Sequence, residues 1–98
     1  MLAGWELFAA ERDGALLGMM ALKGNALDQL FVDPAAHGGG VGLALLARAK
    51  ALRPLGFRFH THRDNARARR FYEREGCRLV ALDVHPKGGY PVAHYRWP

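Results

Sequence analysis

Apolar residues alternate with polar ones, or run together, in three short segments of the first third of the chain. They read ELFAAER at residues 6–12, ALLGMMAL at residues 15–22 and ALDQLFV at Ala26–Val32. An Asp-Gly pair at residues 13–14 and a Lys-Gly-Asn stretch at residues 23–25 separate the three segments. Such sequences are typical of hairpin turns. The pattern therefore predicts three antiparallel strands joined by tight turns.

A helical spacing replaces this pattern after residue 40. Apolar residues recur three and four positions apart, which predicts a helix that Pro54 ends; they are Val41, Leu45, Leu46, Ala49 and Leu52. A second helix is predicted between Asn65, a typical N-cap, and Gly76, a typical stop residue. Its predicted buried face consists of Ala68, Phe71 and Tyr72.

Three further segments have the composition of strands: FRFH at residues 57–60, CRLVALDV at residues 77–84 and YPVAHYRW at residues 90–97. The predicted order is βββαβαββ, which indicates an α/β or α+β chain with a mixed sheet. A length of 98 residues, half of them hydrophobic, suits one small domain over residues 1–98.

The composition narrows the class of protein. One cysteine, Cys77, excludes an intramolecular disulfide, and the start of the chain does not resemble a secretion signal. The longest apolar runs are far shorter than the ~20 residues of a membrane helix. We therefore expect a soluble cytoplasmic protein. A formal charge of +5 favours an anionic partner, which a phosphorylated small ligand satisfies as well as a nucleic acid does.

Four glycines at positions 38, 39, 40 and 42 lead into the first predicted helix. The first N–H groups of a helix have no partner within it, and glycine lets a bulky anion approach them. A Walker loop is excluded because Leu43-Ala44 follows instead of Lys-Ser/Thr. The dinucleotide fingerprint fits poorly because a leucine occupies its third glycine position. Glycines that serve only a tight turn remain the structural alternative.

Two segments together resemble the GNAT superfamily (GCN5-related N-acetyltransferases). VDPAAHGGGVG, residues 32–42, is similar to the family's acetyl-CoA segment, a strand ending in Val-x-Pro followed by Gln/Arg-x-x-Gly-x-Gly/Ala. NARARRFYEREG, residues 65–76, is similar to the family's Asn-x-x-Ala-x-x-Phe-Tyr-Glu-x-x-Gly block. The resemblance covers about residues 5–98. It implies a short member that lacks the family's first strand and first two helices.

The resemblance implies acetyl-CoA as the co-substrate. The residues that would bind it are Leu30, Phe31, Val32, His37, Gly38, Gly39, Gly40, Val41, Gly42, Leu43, Asn65 and Arg69. The glycine segment would bind the pyrophosphate through backbone N–H groups, and the strand end would pair with the pantetheine arm. Arg69 would reach the nucleotide phosphates, although an exposed helix arginine is also typical of a solvated surface.

The resemblance also implies two catalytic residues for acetyl transfer to a primary amine by direct attack in a ternary complex. Tyr72 matches the family's general acid, which protonates the departing CoA thiolate; its alternative role is a core aromatic. His60 lies where some members carry a glutamate base, and an imidazole that titrates near ~6.5 suits this task. Its alternative is a half-exposed histidine on a strand.

A second class of function stays open at this stage: a non-catalytic module that binds CoA or a protein partner. A homodimer is a hypothesis under both interpretations, because an uncovered sheet tends to be completed by another chain. Nucleic-acid binding is the weakest alternative. No metal is expected, because the five histidines lack a metal-binding spacing.

Overall fold

The computed structural model describes residues 4–98, which form two compact units, one ending at Pro54 and the other comprising Leu55–Pro98. The elements are β1 Trp5–Arg12, β2 Ala15–Lys23, β3 Ala26–Val32, α1 Val41–Leu52, β4 Phe57–His62, α2 Ala66–Arg74, β5 Arg78–Val84 and β6 Pro91–Trp97. A short 3-10 turn over Pro34–Ala36 precedes α1. The predicted order βββαβαββ and the α/β fold class are confirmed. One domain over the whole chain stays a prediction.

The first unit is an antiparallel meander with two-residue turns. The first hairpin closes with Arg12 opposite Ala15, and the second closes with Lys23 opposite Ala26. Asp13 and Gly14 have φ angles of 52° and 81°, as a turn with two left-handed positions requires. The Asp-Gly pair therefore fixes the register of β1 against β2 next to the turn, and an irregularity between Ala10 and Glu11 shifts it by one residue along the rest of the hairpin.

Helix α1 packs closely on β2 at Gly18. The apolar stripe predicted from the sequence buries Leu45, Leu46 and Ala49. A Cβ atom at Gly18 would lie 2.7 Å from the carbonyl oxygen of Phe31 and 2.9 Å from Cγ1 of Val41. Only a glycine at this position lets the first turn of α1 approach the strand so closely.

The second unit has the strand order β4–β6–β5, with both pairs antiparallel. Phe59 stacks on Tyr95 at 5.6 Å between ring centroids and contacts Tyr72 of α2 at 4.4 Å. Cys77, which follows α2, is buried. The core of this unit is therefore an aromatic cluster between α2 and one face of its strands.

Replacing Gly18 by alanine should destabilise the first unit. The added methyl group has no free space, and overpacking of this kind costs about 1–3 kcal/mol. We expect a lower free energy of unfolding in urea. Ala15→Ser, which also adds one heavy atom but at an exposed position of the same strand, should change it little. Equal stability of Gly18→Ala and the parent chain would contradict this packing.

Candidate active site

The segment between β3 and α1 is held by a chain of local hydrogen bonds. Asp33 caps the 3-10 turn, with its Oδ1 accepting from the Ala35 N–H at 2.9 Å. The N–H groups of His37 and Gly39 donate to the carbonyl oxygens of Pro34 and Ala36, each at 3.2 Å. These bonds turn the backbone from the strand into the helix and fix the position of the glycines.

Two of the glycines are required by their backbone conformation. Gly38 and Gly40 both have φ of 83°, a region that other L-residues rarely adopt. Gly40 is the N-cap of α1, and no side chain caps the helix. The backbone N–H groups of the first turn, from Val41 to Leu43, therefore point out of the helix without a capping acceptor. This arrangement favours an anion at the helix start.

The His37 side chain folds back onto the strand. Its Nε2 lies 3.2 Å from the carbonyl oxygen of Val32, so this nitrogen carries the proton and donates. An imidazole held in this way stiffens the entry to the glycine segment. Any anion at the start of α1 would then depend mainly on backbone donors.

A pocket of about 380 Å³ lies beside this segment within the first unit. Its walls come from the β1–β2 hairpin and from the turn before α1, and include Arg12, Leu16, Leu17, Asp33, His37 and Val41. Strand β3 pairs with β2 along the predicted pantetheine-binding residues, with Val32 opposite Gly18 and Leu30 opposite Met20. Pairing of this strand end with a pantetheine arm stays a prediction.

Tyr72 combines a buried ring with an available hydroxyl group. The residue is 8% exposed, and its ring packs against Phe59 and Phe71. Its hydroxyl makes no hydrogen bond within the described residues. A fully buried hydroxyl without a partner would be unsatisfied, and the described residues contain no such buried polar side-chain atom. The oxygen therefore reaches the surface and can donate to a ligand. Burial, and secondarily the charge of Cys77, raise the pKa of Tyr72 to about 12.

Tyr95 is a contrasting tyrosine in the same cluster. Its hydroxyl accepts a hydrogen bond from Nε of Arg69 at 2.9 Å and donates to the carboxylate of Glu73. Burial, followed by the hydrogen bond to Glu73, raises the pKa of Tyr95. Because both hydrogen-bonding directions are used within the unit, Tyr95 has a structural role.

Arg69 and Asn65 are both engaged in the second unit. Arg69 also donates from Nη1 to the carbonyl oxygen of Arg63 at 3.1 Å, and the hydrogen bond with Tyr95 raises the pKa of Arg69. These contacts favour a structural role for Arg69, and its binding to nucleotide phosphates stays a prediction. Asn65 caps α2, as predicted, with Oδ1 accepting from the Ala68 N–H at 3.1 Å.

His60 lies on the strand face opposite to the aromatic core. It is exposed, and its ring centroid is 5.8 Å from that of His94, its cross-strand partner, and 6.3 Å from that of His85. Sequence reasoning found His60 but not its two neighbours, because the pairing of β4 with β6 was unknown. Within residues 4–98, no group of three or more His, Cys, Asp or Glu is placed to hold a metal ion.

The chain belongs to the GNAT acetyltransferases. Residues 3–76 match the family described as "Acetyltransferase (GNAT) domain". No helix in the described part of the chain has the length and apolar character that crossing a bilayer requires.

Two relatives and one structure illustrate the similarity. The peptidyl-lysine N-acetyltransferase YjaB of Salmonella typhimurium is 35% identical over 84 residues, which are 84% of this chain and 57% of YjaB. The mycothiol acetyltransferase of Beutenbergia cavernae is 42% identical over 88 residues, which are 81% of this chain and 29% of that protein. A Bacillus anthracis crystal structure with acetyl coenzyme A superimposes with a TM-score of 0.84 at 21% identity, covering 98% of this chain and 63% of that one.

The chain thus spans little more than half the length of YjaB and less than a third of the mycothiol enzyme. The similarity to the Bacillus anthracis structure concerns the fold.

The raised pKa of Tyr72 predicts a specific loss of stability in alkali. The pKa of Tyr72 in the folded state, about 12, lies above the ordinary 10.0, so folding favours the neutral phenol. The contribution of Tyr72 to the free energy of unfolding is therefore complete below pH 10 and is lost as the pH rises through 12. It amounts to roughly 3 kcal/mol at most. In urea titrations across this range, Tyr72→Phe should lose stability less steeply than the parent chain. Parallel curves would contradict the burial of an ionisable hydroxyl here.

Proposed function

We propose that this chain is an acetyl-CoA-dependent N-acetyltransferase that transfers the acetyl group to a primary amine by direct attack in a ternary complex. The observation that carries the proposal is the uncapped start of α1 behind two left-handed glycines, within the segment that matches the family. The acetyl coenzyme A bound to the Bacillus anthracis relative supports the same co-substrate here.

In this proposal the pyrophosphate lies at the start of α1. The backbone N–H groups of Gly38 and of residues 40–43 would donate to its oxygens, and the helix dipole would favour its charge. The N–H of Gly39, also predicted to bind, already donates to Ala36. The backbone of residues 30–32 would pair with the pantetheine arm in the manner of an added strand. Asn65 would donate from its amide nitrogen, since its oxygen already caps α2.

The chemical step joins the amine nitrogen to the carbonyl carbon of the thioester and breaks the carbon–sulfur bond. His60 would take one proton from the attacking amine, directly or through a water, and Tyr72 would give one proton to the departing thiolate. The two residues lie on opposite faces of β4, so the reacting groups would have to meet at the edge of this strand. A backbone N–H of β3 would stabilise the oxyanion. The products are then an acetylated amine and the free thiol of CoA.

The raised pKa of Tyr72 constrains its role as acid. A thiol ordinarily titrates near ~8.5, so a proton transfer from a phenol with a pKa of about 12 to a solvated thiolate would be unfavourable. Burial raises the pKa of a thiol by the same mechanism as that of a phenol, because it disfavours both anions. We therefore propose that Tyr72 acts on a thiolate which is itself shielded from water.

The names of the relatives are compatible with either of two acceptor types. One relative is named for peptidyl-lysine and the other for mycothiol, so a peptide and a small molecule both stay open as acceptors. A homodimer and a cytoplasmic location stay predictions.

Gly40→Ala tests the cofactor site. A side chain at φ of 83° strains the loop by about 1 kcal/mol and places a methyl group beside the helix start. We expect acetyl-CoA to bind about tenfold more weakly in calorimetric titrations. Gly24→Ala is the matched control, because Gly24 also has a positive φ and open space around it but lies in the β2–β3 turn. Equal weakening by both variants would contradict the assignment.

Tyr72→Phe tests the acid. Loss of a general acid typically slows a reaction by 10²–10⁴-fold, and we expect a fall in turnover of about 100-fold with acetyl-CoA binding retained. The release of CoA thiol in the presence of an amine measures it. Tyr90→Phe removes the same atom from another ring of the second unit and should leave turnover unchanged. A fully active Tyr72→Phe variant would refute the role of the hydroxyl.

A further inference from the structure

One face of the second unit carries a row of three arginines. Arg58 pairs with Arg96 across β4 and β6, and Arg78 pairs with Arg96 across β5 and β6. Directly opposite residues of antiparallel strands project from the same face. All three arginines are exposed, and they lie on the face that α2 does not cover.

The three positive charges of this row repel one another in the absence of an anion. Like charges directly opposite each other in a sheet destabilise it. Arg78 is held by a backbone oxygen of Pro98, the last residue of the structure, to which Nε and Nη2 donate at 3.1 and 2.9 Å. Arg96 forms no ion pair with any carboxylate of the described residues. The positive potential at the centre of the row is therefore available to a ligand.

The arginine row lies next to the proposed base. His60 and His94 form the adjacent row on the same face, two residues along each strand. Two residues of a strand span about 7 Å. Neither row contains a carboxylate, since the β5 residue opposite His94 is Ala81. A ligand whose amine is at His60 would thus place a group about 7 Å away against the guanidinium of Arg96.

We infer that the acceptor is an amine that also carries an anionic group, a carboxylate or a phosphate, about 7 Å from its nitrogen. The inference rests on the proposed acetyl transfer with His60 as the base. Arg96 binds the anion, and His94 lies beside the amine. A diamine or a lysine flanked by cations would meet repulsion at the same row.

A nucleic acid fits this face less well. Phosphate-driven binding to a duplex requires several cations spaced along the backbone. Here the row has only three arginines, one from each strand, and it ends at β5, which is the edge strand of the sheet. A single anionic group suits a patch of this size better.

The test compares three acceptors of similar length with different terminal groups. They are δ-aminovalerate, pentylamine and cadaverine, whose second ends are anionic, neutral and cationic. We expect kcat/KM for δ-aminovalerate to exceed the other two at least tenfold. Aminobutylphosphonate then shows whether carboxylate or phosphonate is preferred. Equal rates with all acceptors would overturn the inference while leaving the acetyltransferase proposal intact.

Arg96→Gln tests the residue itself. It should lower kcat/KM for δ-aminovalerate about tenfold and leave the rate with pentylamine unchanged. Arg67→Gln on α2 removes the same charge from an exposed arginine elsewhere in the unit and should have no effect. Equal losses in both variants would assign the effect to net charge and would contradict a specific site.

A binding experiment tests the anion site without requiring acetylation of an amine. Nuclear magnetic resonance of the 98-residue chain can follow the Arg96 side-chain Nε–H and the His94 ring during addition of δ-aminovalerate. Saturable shifts that Arg96→Gln abolishes would support the anion site even where the enzymatic proposal fails. No shift of either group would overturn it.

Discussion

The uncapped first turn of α1 is the constraint on which the candidate site depends. Gly40 begins the helix in a left-handed conformation, and no side chain accepts from the N–H groups that follow. Helices often have Ser, Thr, Asp or Asn at this position, and the side-chain cap stabilises the helix by about a few tenths of a kcal/mol more than glycine does. Here that stabilisation is absent, and donors that a cap would occupy are left for a ligand.

The first unit is built to hold this helix start in place. Gly18 lets α1 approach β2, and the side chain of Arg53 after the C-terminus of α1 donates to the Gly24 carbonyl and pairs with Glu6. The two ends of the helix are thus fixed to the same three strands. The bonds of Asp33 and His37 hold the backbone immediately before the helix. A ligand at this position would meet a preorganised site, which reduces the entropic cost of binding.

The two faces of the strands in the second unit carry different kinds of side chain. On one face the core is formed by Phe59, Tyr95 and Tyr72, and its two tyrosine hydroxyls differ in their hydrogen bonding. The hydroxyl of Tyr95 is bonded on both sides, whereas that of Tyr72 is left to a ligand. The other face has no such core and presents imidazole and guanidinium groups. The same alternation that buries aromatic rings therefore displays His60 and Arg96.

Local patterns predicted the elements well because the relevant physics is local. Turn sequences, the helical spacing of apolar residues and the Asn65 cap each act within a few positions. The arginine row could not be found in this way. Strands β5 and β6 pair with Val84 opposite Pro91, and the same register continued along β5 would place Arg78 opposite Trp97, on the aromatic face. The irregularity between Leu79 and Ala81 shifts the pairing by one residue, so that Arg78 lies opposite Arg96. Likewise, only the three-dimensional packing distinguishes the hydroxyl of Tyr72 from that of Tyr95.

The most direct test of the account is to map acetyl-CoA binding on the backbone amides of the 98-residue chain by nuclear magnetic resonance. We expect the amides of residues 38–43 to shift most during the titration, and ATP at the same concentration not to reproduce the complete pattern. If acetyl-CoA leaves these amides unchanged, or shifts only residues elsewhere, the glycine segment does not bind the co-substrate and the central claim is wrong.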